Sequence, residues 1–183
     1  MSKVAVFFGT GYEEIEALTV VDILRRGGIE TKMVSITGDR MVTSSHQITV
    51  AMDEVLQEVD FEALDMIVLP GGMPGTKHLE ACEPLMEQVD AFVAGGKMVA
   101  AICAAPSILG HRGFLKGKNA CSFPSFESHL EGANVLKQPA VTDGNIITGR
   151  GMGAAVPFAL AILEKLAGRE VAQKMAETIV YSI

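Results

Sequence analysis

A single cysteine stands where a buried-looking apolar run changes into a helix-like segment. The run covers residues 97–102, Cys103 follows it, and Pro106 marks a helix start because proline is tolerated in a first turn but not in a helix interior. The N–H groups at a helix start lack intrahelical acceptors and carry the positive end of the helix dipole, so they stabilise a thiolate. The sequence therefore predicts a reactive thiol at Cys103, either a nucleophile or a redox sensor. A buried packing cysteine is the alternative.

Three carboxylates follow the first apolar run of the chain, at Glu13, Glu14 and Glu16. About one helical turn separates Glu13 from Glu16, so both can share a face while their apolar neighbours point into the protein. A carboxyl group held inside a cleft has a raised pKa, and in its protonated form it can donate a hydrogen bond to a thiolate or carry a proton. We therefore select Glu16 as the acid/base candidate. Ordinary charge placement in a first helical turn is the alternative.

Glycines after a later buried run offer backbone N–H groups that no side chain blocks. Gly72, in the segment 70–75, and Ala104, next to the cysteine, are the two candidate donors. Together they could bind a developing oxyanion or the oxygen of an oxidised sulfur. A tight turn between a strand and a helix is the alternative.

These residues lie at the ends of apolar runs that alternate with helical patterns, which indicates an α/β fold. Strands that are buried on both faces form unbroken apolar runs, and their alternation with helices implies a mostly parallel, doubly wound sheet. The loops at the carboxyl ends of such strands share one cleft, so Cys103, Glu16 and Gly72 are expected to meet. The predicted strands are residues 4–8, 32–36, 65–69 and the run before Cys103; the predicted helices are 14–26, 84–94, 154–166 and 170–180; and hairpins are predicted at 42–51 and around 142–145.

Composition narrows the class of protein. A chain of 183 residues, 49% hydrophobic and 20% charged, is expected to form one domain over residues 1–183. The net charge of −7 gives no support for nucleic-acid binding, and no apolar stretch approaches the ~20 residues that span a bilayer. The apolar run at the N-terminus is too short for a signal peptide, so we expect a cytoplasmic protein.

Neither the cysteines nor the glycine-rich loops indicate a cofactor. Cys82, Cys103 and Cys121 are widely spaced and odd in number, which argues against a disulfide framework and a structural zinc site. The loop after the first strand lacks the third glycine of a dinucleotide motif and places carboxylates where a pyrophosphate would bind. The segment 149–153 lacks the Lys-Ser/Thr ending of a phosphate-binding loop. We therefore expect neither a nucleotide cofactor nor a metal.

Four motifs occur in order along the chain. They are Gly-x-Glu-Glu-x-Glu at residues 11–16, Val-Leu-Pro-Gly-Gly at 68–72, Ala-Ala-Ile-Cys-Ala-Ala-Pro at 100–106 and Gly-Arg-Gly-x-Gly at 149–153. In combination they resemble the ThiJ/PfpI (DJ-type) superfamily over essentially the whole chain, and within it the small bacterial ThiJ-like members and the deglycases most closely. The resemblance implies a flavodoxin-like three-layer sandwich, with helices on both faces of the sheet, that forms a homodimer.

The resemblance also implies roles for four residues. Cys103 falls on the family's reactive cysteine, and Glu16 falls on its protonated glutamate, which hydrogen-bonds the sulfur and favours both the thiolate and the sulfinate. Gly72 and Ala104 fall on the backbone donors beside that sulfur.

The histidines depart from parts of this family. Peptidase-like members have a histidine directly after the cysteine, where this chain has Ala104, and some DJ-type members have one where this chain has Phe123. His111 is about 12 Å from the cysteine along a helix, too far for a dyad on that helix. His46 or His78 could reach the cleft from a loop or across a dimer. Cysteine peptidase activity is therefore the least supported function.

Two classes of function follow from a reactive Cys103. In the enzymatic class, which we favour, its thiolate adds to the aldehyde of methylglyoxal or glyoxal, or to an early adduct of these on a protein or nucleotide, and forms a hemithioacetal. Glu16 then moves protons and water releases lactate or glycolate, with no cofactor. In the alternative class, a stress sensor or redox-regulated chaperone, peroxide oxidises Cys103 to the sulfinate.

Three further residues could form a site for an anionic product, with ordinary surface charge as the alternative; they are Arg26, His46 and Arg150.

Overall fold

The structure is a computed structural model that describes residues 2–182. The strands are β1 (Lys3–Phe8), β2 (Glu30–Ser35), β3 (Met41–Thr43), β4 (Thr49–Ala51), β5 (Glu54–Val55), β6 (Met66–Leu69), β7 (Met98–Ile102), β8 (Asn119–Ala120), β9 (Asn134–Val135), β10 (Ala140–Asp143) and β11 (Ile146–Gly149). The α-helices are α1 (Glu14–Arg26), α2 (Gly75–Glu80), α3 (Glu83–Ala94), α4 (Pro106–His111), α5 (Ala155–Ala167) and α6 (Arg169–Thr178). Short 3₁₀ helices cover Leu56–Glu58, Pro124–His129 and Met152–Ala154.

Seven strands form the central sheet, in the order β10-β11-β7-β6-β1-β2-β5. Neighbouring strands are parallel except β10 and β11, which pair antiparallel at one edge. From β1 the chain winds outward to β2 and β5, and it then returns to β6 and winds the other way, so the winding direction reverses between β1 and β6. The predicted α/β fold with a mostly parallel, doubly wound sheet is confirmed. Ligands bind such sheets at the carboxyl ends of the strands beside the reversal.

Helices cover both faces of the sheet and produce three layers. Alternate residues of β1 point to opposite faces, so Val4, Val6 and Phe8 join one apolar cluster while Ala5 and Phe7 join the other. The first cluster is completed by side chains of α1, α5 and α6, and the second by side chains of α2, α3 and α4. Because the strands are buried on both sides, they appear in the sequence as the unbroken apolar runs noted above.

Most predicted elements agree with the observed ones, with differences at their ends. The predicted helices match α1, α3, α5 and α6 within two residues, and both predicted hairpins form, as β3–β4 and β10–β11. The strand predicted at 32–36 is β2, which begins and ends earlier. Helix α2 was not predicted, because the Pro74-Gly75 pair that begins it is typical of a turn. No helix within residues 2–182 combines the length and apolar character needed to cross a membrane.

Candidate active site

Three loops meet where β1, β6 and β7 end. The first two are joined directly, since the Glu13 N–H donates to the Gly71 carbonyl at 2.9 Å and the Gly75 N–H donates to the Gly11 carbonyl at 3.2 Å. The third loop carries Cys103, whose Cβ and the Oε2 atom of Glu16 lie on either side of Gly71, each 2.6 Å from the position that a Cβ would take there. The reversal in winding direction thus brings together loops that are far apart in the sequence.

Cys103 occupies a sharp elbow rather than the first turn of a helix. Its φ is 65°, in the left-handed region that non-glycine residues rarely adopt, and α4 begins only at Pro106. Two backbone hydrogen bonds hold the elbow, from the Cys103 N–H to the Gly149 carbonyl at 2.9 Å and from the Phe123 N–H to the Cys103 carbonyl at 2.8 Å. The expectation that this cysteine begins the helix is therefore wrong, because the chain makes a separate turn before α4. Such an elbow lifts the side chain above the end of the strand.

Glu16 lies in the first turn of α1 and is almost completely buried, with 1% of its surface exposed. Its Oε2 accepts a hydrogen bond from the Gly71 N–H at 3.0 Å, and its Oε1 is buried with no hydrogen-bond partner among the described residues. Burial raises the pKa of Glu16 to about 7, and the nearby Glu13 carboxylate adds to the rise, although the contacts with Cys103 and Gly71 oppose it. At neutral pH the carboxyl group can therefore both hold and release a proton.

The sulfur of Cys103 is half-buried and faces two kinds of neighbour. Burial, followed by the nearby Glu16 carboxylate, raises the pKa of the thiol, and the backbone N–H groups of Ala104 and Gly72 oppose this rise by less. The thiolate is therefore not stabilised as expected from a helix start, because burial disfavours the charged sulfur and an ionised Glu16 repels it. Cys103 and Glu16 titrate as a pair, so a thiolate forms most readily when the remaining proton is on Glu16.

Gly71 is a site residue that the sequence analysis passed over in favour of its neighbour Gly72. A Cβ at Gly71 would lie 2.6 Å from Cys103 Cβ, 2.6 Å from Glu16 Oε2 and 3.0 Å from the Ile102 carbonyl oxygen. Glycine is therefore needed for the cysteine and the glutamate to approach each other. The available signal was the pair of adjacent glycines, Gly71 and Gly72, just after a buried strand.

Gly71→Ala is expected to separate the thiol from the carboxyl group. The added methyl group cannot fit between Cys103 and Glu16, so we expect a loss of about 1–3 kcal/mol in the free energy of unfolding and a clear change in the rate at which iodoacetamide alkylates Cys103. Urea denaturation and mass spectrometry measure the two effects. Gly153→Ala is the control, because its Cβ would meet no atom within 4 Å and its backbone lies outside the left-handed region. Unchanged alkylation of Cys103 in Gly71→Ala would contradict this steric role.

The histidines do not contact the sulfur within the described part of the chain. His46 lies at the acidic loop instead, where its Nδ1 is 2.9 Å from Glu14 Oε1, a contact that raises the pKa of His46. His78 bonds the Thr10 carbonyl through its Nδ1 at 2.9 Å. His111 lies 2.6 Å from a carboxylate oxygen of Glu80, away from the site. The site therefore has a carboxyl group, and no imidazole, in contact with its thiol.

Two further sets of residues bear on ligand binding. Glu13, Glu14 and His46 place one ligand atom each within 4.8 Å of one another, the one grouping between residues 2 and 182 with spacing suited to a metal ion.

Arg26 pairs with Asp22 at the far end of α1, a full helix length from Cys103, so its suggested part in binding an anionic product is wrong.

The fold and the site together define a doubly wound α/β protein with a cysteine and a buried glutamate at the strand ends. The sequence matches the DJ-1/PfpI family over residues 2–165. The chain belongs to this family.

Known relatives and solved structures are similar to this chain over almost its full length. The chain is 37% identical over 180 residues to protein dj-1beta of Drosophila melanogaster, which covers 97% of this chain and 96% of that protein. It is 31% identical over 159 residues to a Caenorhabditis elegans protein named glutathione-independent glyoxalase DJR-1.2, covering 86% of this chain and 84% of that one. Among solved structures, oxidized Toxoplasma gondii DJ-1 is similar with a TM-score of 0.95 and 33% identity, covering all of both chains. The flavodoxin-like fold that the sequence predicted is thereby confirmed.

Proposed function

We propose that this protein is a cofactor-free, cysteine-dependent enzyme that converts α-oxoaldehydes into α-hydroxy acids. The observation that carries the proposal is that the Cys103 side chain and the buried Glu16 carboxyl group both pack against Gly71, since a Cβ there would lie 2.6 Å from Cys103 Cβ and from Glu16 Oε2. Burial raises the pKa of that carboxyl group to about 7. A nucleophile and a proton carrier with a pKa near neutrality are the two groups that this chemistry requires. The relative named a glutathione-independent glyoxalase supports the same reaction class.

The reaction begins when the Cys103 thiolate attacks the aldehyde carbon of methylglyoxal. A carbon–sulfur bond forms, the aldehyde oxygen becomes negatively charged, and the proton on Glu16 neutralises it to give a hemithioacetal. The N–H groups of Gly72 and Ala104 favour negative charge on the sulfur, and in this proposal they also stabilise the charge that develops on the oxygen beside it. Glu16 leaves this step as a carboxylate, ready to accept a proton.

The next steps return the enzyme to its starting state. The Glu16 carboxylate removes the proton from the former aldehyde carbon, which gives an enediolate, and returns it to the adjacent carbon. The hydroxyl proton moves from the former aldehyde oxygen to the former ketone oxygen, and the product is the thioester of lactate. The aldehyde carbon is oxidised and the ketone carbon is reduced, so no external oxidant is consumed. Water then cleaves the thioester, which releases lactate and restores the Cys103 thiol. The same steps convert glyoxal into glycolate, and adducts of either aldehyde on a protein or nucleotide can be released similarly.

We expect the purified protein to form lactate from methylglyoxal in the presence of a thiol-free reductant. Lactate is quantified against a buffer blank, while intact mass spectrometry follows the covalent state of the protein. Lactate formation above the blank supports the enzymatic function. If the protein forms no lactate and instead gains two oxygen atoms at Cys103 when peroxide is added, the enzymatic proposal is contradicted and the sensor function is supported.

The sensor or redox-regulated chaperone remains the second candidate, and one observation favours it. The N–H groups of Gly72 and Ala104, together with a protonated Glu16, offer hydrogen-bond donors on several sides of the sulfur. Sulfinate oxygens accept such bonds, so the same site that activates the thiol would stabilise its oxidation product. A cysteine peptidase is less favoured, because no described histidine contacts the thiol.

We further propose that the protein is a cytoplasmic homodimer. Ile15 on α1 and Met41 and Ile48 at the β3–β4 hairpin are 47%, 54% and 47% exposed. The hairpin is held against the start of α1, since the Ser45 N–H donates to the Tyr12 carbonyl at 2.9 Å. Apolar side chains exposed on neighbouring elements are typical of a self-complementary interface.

A further inference from the structure

Three large apolar side chains are exposed next to the Cys103 site. Met73, Phe123 and Met152 are 42%, 46% and 51% exposed. Met73 directly follows Gly72, whose N–H faces the sulfur, and Phe123 donates its backbone N–H to the Cys103 carbonyl at 2.8 Å. We call Met73, Phe123 and Met152 the apolar rim.

Phe123 and Met152 also line a cavity of about 500 Å³ beside the elbow. Pro157 and Tyr181 add apolar surface to it. Sites for small molecules usually measure about 300–1,000 Å³, so this space can accept a group as large as an aromatic ring. The single methyl group of methylglyoxal would leave most of the cavity to water.

Two charged residues, Lys137 and Arg150, line the cavity. Arg150 bonds the Lys137 carbonyl at 3.3 Å and Glu127 Oε1 at 3.4 Å, which partly neutralises its charge. Gly151 keeps the space beside the Phe123 ring open, since a Cβ there would lie 3.3 Å from a ring carbon. The surface beside Phe123 and Met152 is therefore largely apolar, although Lys137 also lines the cavity.

We propose that the apolar rim makes the enzyme prefer α-oxoaldehydes that carry an aryl group over methylglyoxal. This inference rests on the proposed function and specifies its substrate class. The aldehyde carbon bonds to Cys103, while the aryl group covers the exposed faces of Phe123 and Met152. Aromatic rings attract one another in offset or edge-to-face arrangements, and thioethers contact aromatic rings favourably, so both side chains suit this substituent. With phenylglyoxal the bond changes are those described for methylglyoxal, and the product is mandelate.

The test compares kcat/KM for phenylglyoxal and methylglyoxal, measured from initial rates of mandelate and lactate formation. The wild type is expected to favour phenylglyoxal by about tenfold or more, and Phe123→Ser and Met152→Gln are each expected to lose most of that preference. Phe123→Leu keeps an apolar side chain but has no ring, so its preference for phenylglyoxal should be intermediate between those of the wild type and Phe123→Ser. The backbone bond from residue 123 to Cys103 is preserved in every variant.

Val171→Thr is the matched control, because Val171 is exposed on α6, outside the apolar rim and its cavity. It should retain the full preference for phenylglyoxal. Equal kcat/KM for the two aldehydes in the wild type would overturn the role of the apolar rim, and so would an equal fall for both aldehydes in Phe123→Ser and Met152→Gln. Failure to turn over either aldehyde would contradict the proposed function itself, whereas turnover of methylglyoxal without an aryl preference overturns this inference alone.

Discussion

Cys103→Ser is expected to reduce methylglyoxal turnover by about 10³-fold or more. The serine hydroxyl remains protonated at neutral pH, so it is a far weaker nucleophile than a thiol, and no thioester can form through an oxygen atom. The substitution removes no other polar contact, since Ala104 and Gly72 can donate to the hydroxyl as they do to the sulfur. Lactate formation and intact mass after exposure to methylglyoxal are the measurements. The fold should be retained, because serine is close to cysteine in size.

Cys82→Ser provides the matched control for this prediction. Cys82 is also a free, half-buried cysteine, but it precedes α3 and lies outside the loops that form the site. Its replacement should leave lactate formation within about twofold of the wild type, because substitutions away from the active site have small effects. Equal activity in Cys103→Ser and the wild type would exclude the covalent mechanism.

Glu16→Gln is expected to change how the stability of the protein depends on pH. The pKa of Glu16 is about 7 in the folded protein and 4.5 as its ordinary value, so the folded state holds this proton more tightly than the unfolded state. The contribution to stability is complete below pH 4.5 and is lost as the pH rises to about 7, a loss of about 3 kcal/mol in the free energy of unfolding. Glutamine does not ionise, so the variant should lack this loss and exceed the wild type in stability at pH 8.

Urea denaturation at pH 5 and pH 8 measures this difference. Glutamine can still accept the hydrogen bond from the Gly71 N–H, so the variant should fold with the same contacts. Glu87→Gln makes the same chemical change at an exposed position on α3 and should retain the pH dependence of the wild type. If the free energy of unfolding of Glu16→Gln falls between pH 5 and pH 8 as much as that of the wild type, the assignment of a raised pKa to Glu16 is wrong.

Lactate formation should also fall in Glu16→Gln, because an amide cannot transfer the proton.

Hydrophobic periodicity was sufficient to predict the sheet and its main helices. Strands buried on both faces leave unbroken apolar runs, and helices packed on one face leave apolar residues at helical spacing, so both patterns survive in a single sequence. The ends of the elements and the short helix α2 were less predictable. The Pro74-Gly75 pair, for example, is compatible with either a turn or the start of a helix. The convergence of Cys103, Glu16 and Gly72 was also predictable, because loops at the carboxyl ends of parallel strands share one edge.

The sequence by itself determined the fold class, the candidate nucleophile and the candidate acid, because residue type and periodicity are local properties. Only the tertiary structure decided the left-handed elbow at Cys103, the need for a glycine at position 71, and the place of Arg26 at the far end of α1. Each of these depends on atoms that are distant in the chain and close in space. The pKa values belong to the same group: burial raises that of Glu16 to about 7 and, with the Glu16 charge, raises that of the Cys103 thiol. Burial and the distance between two charges exist only once the chain has folded.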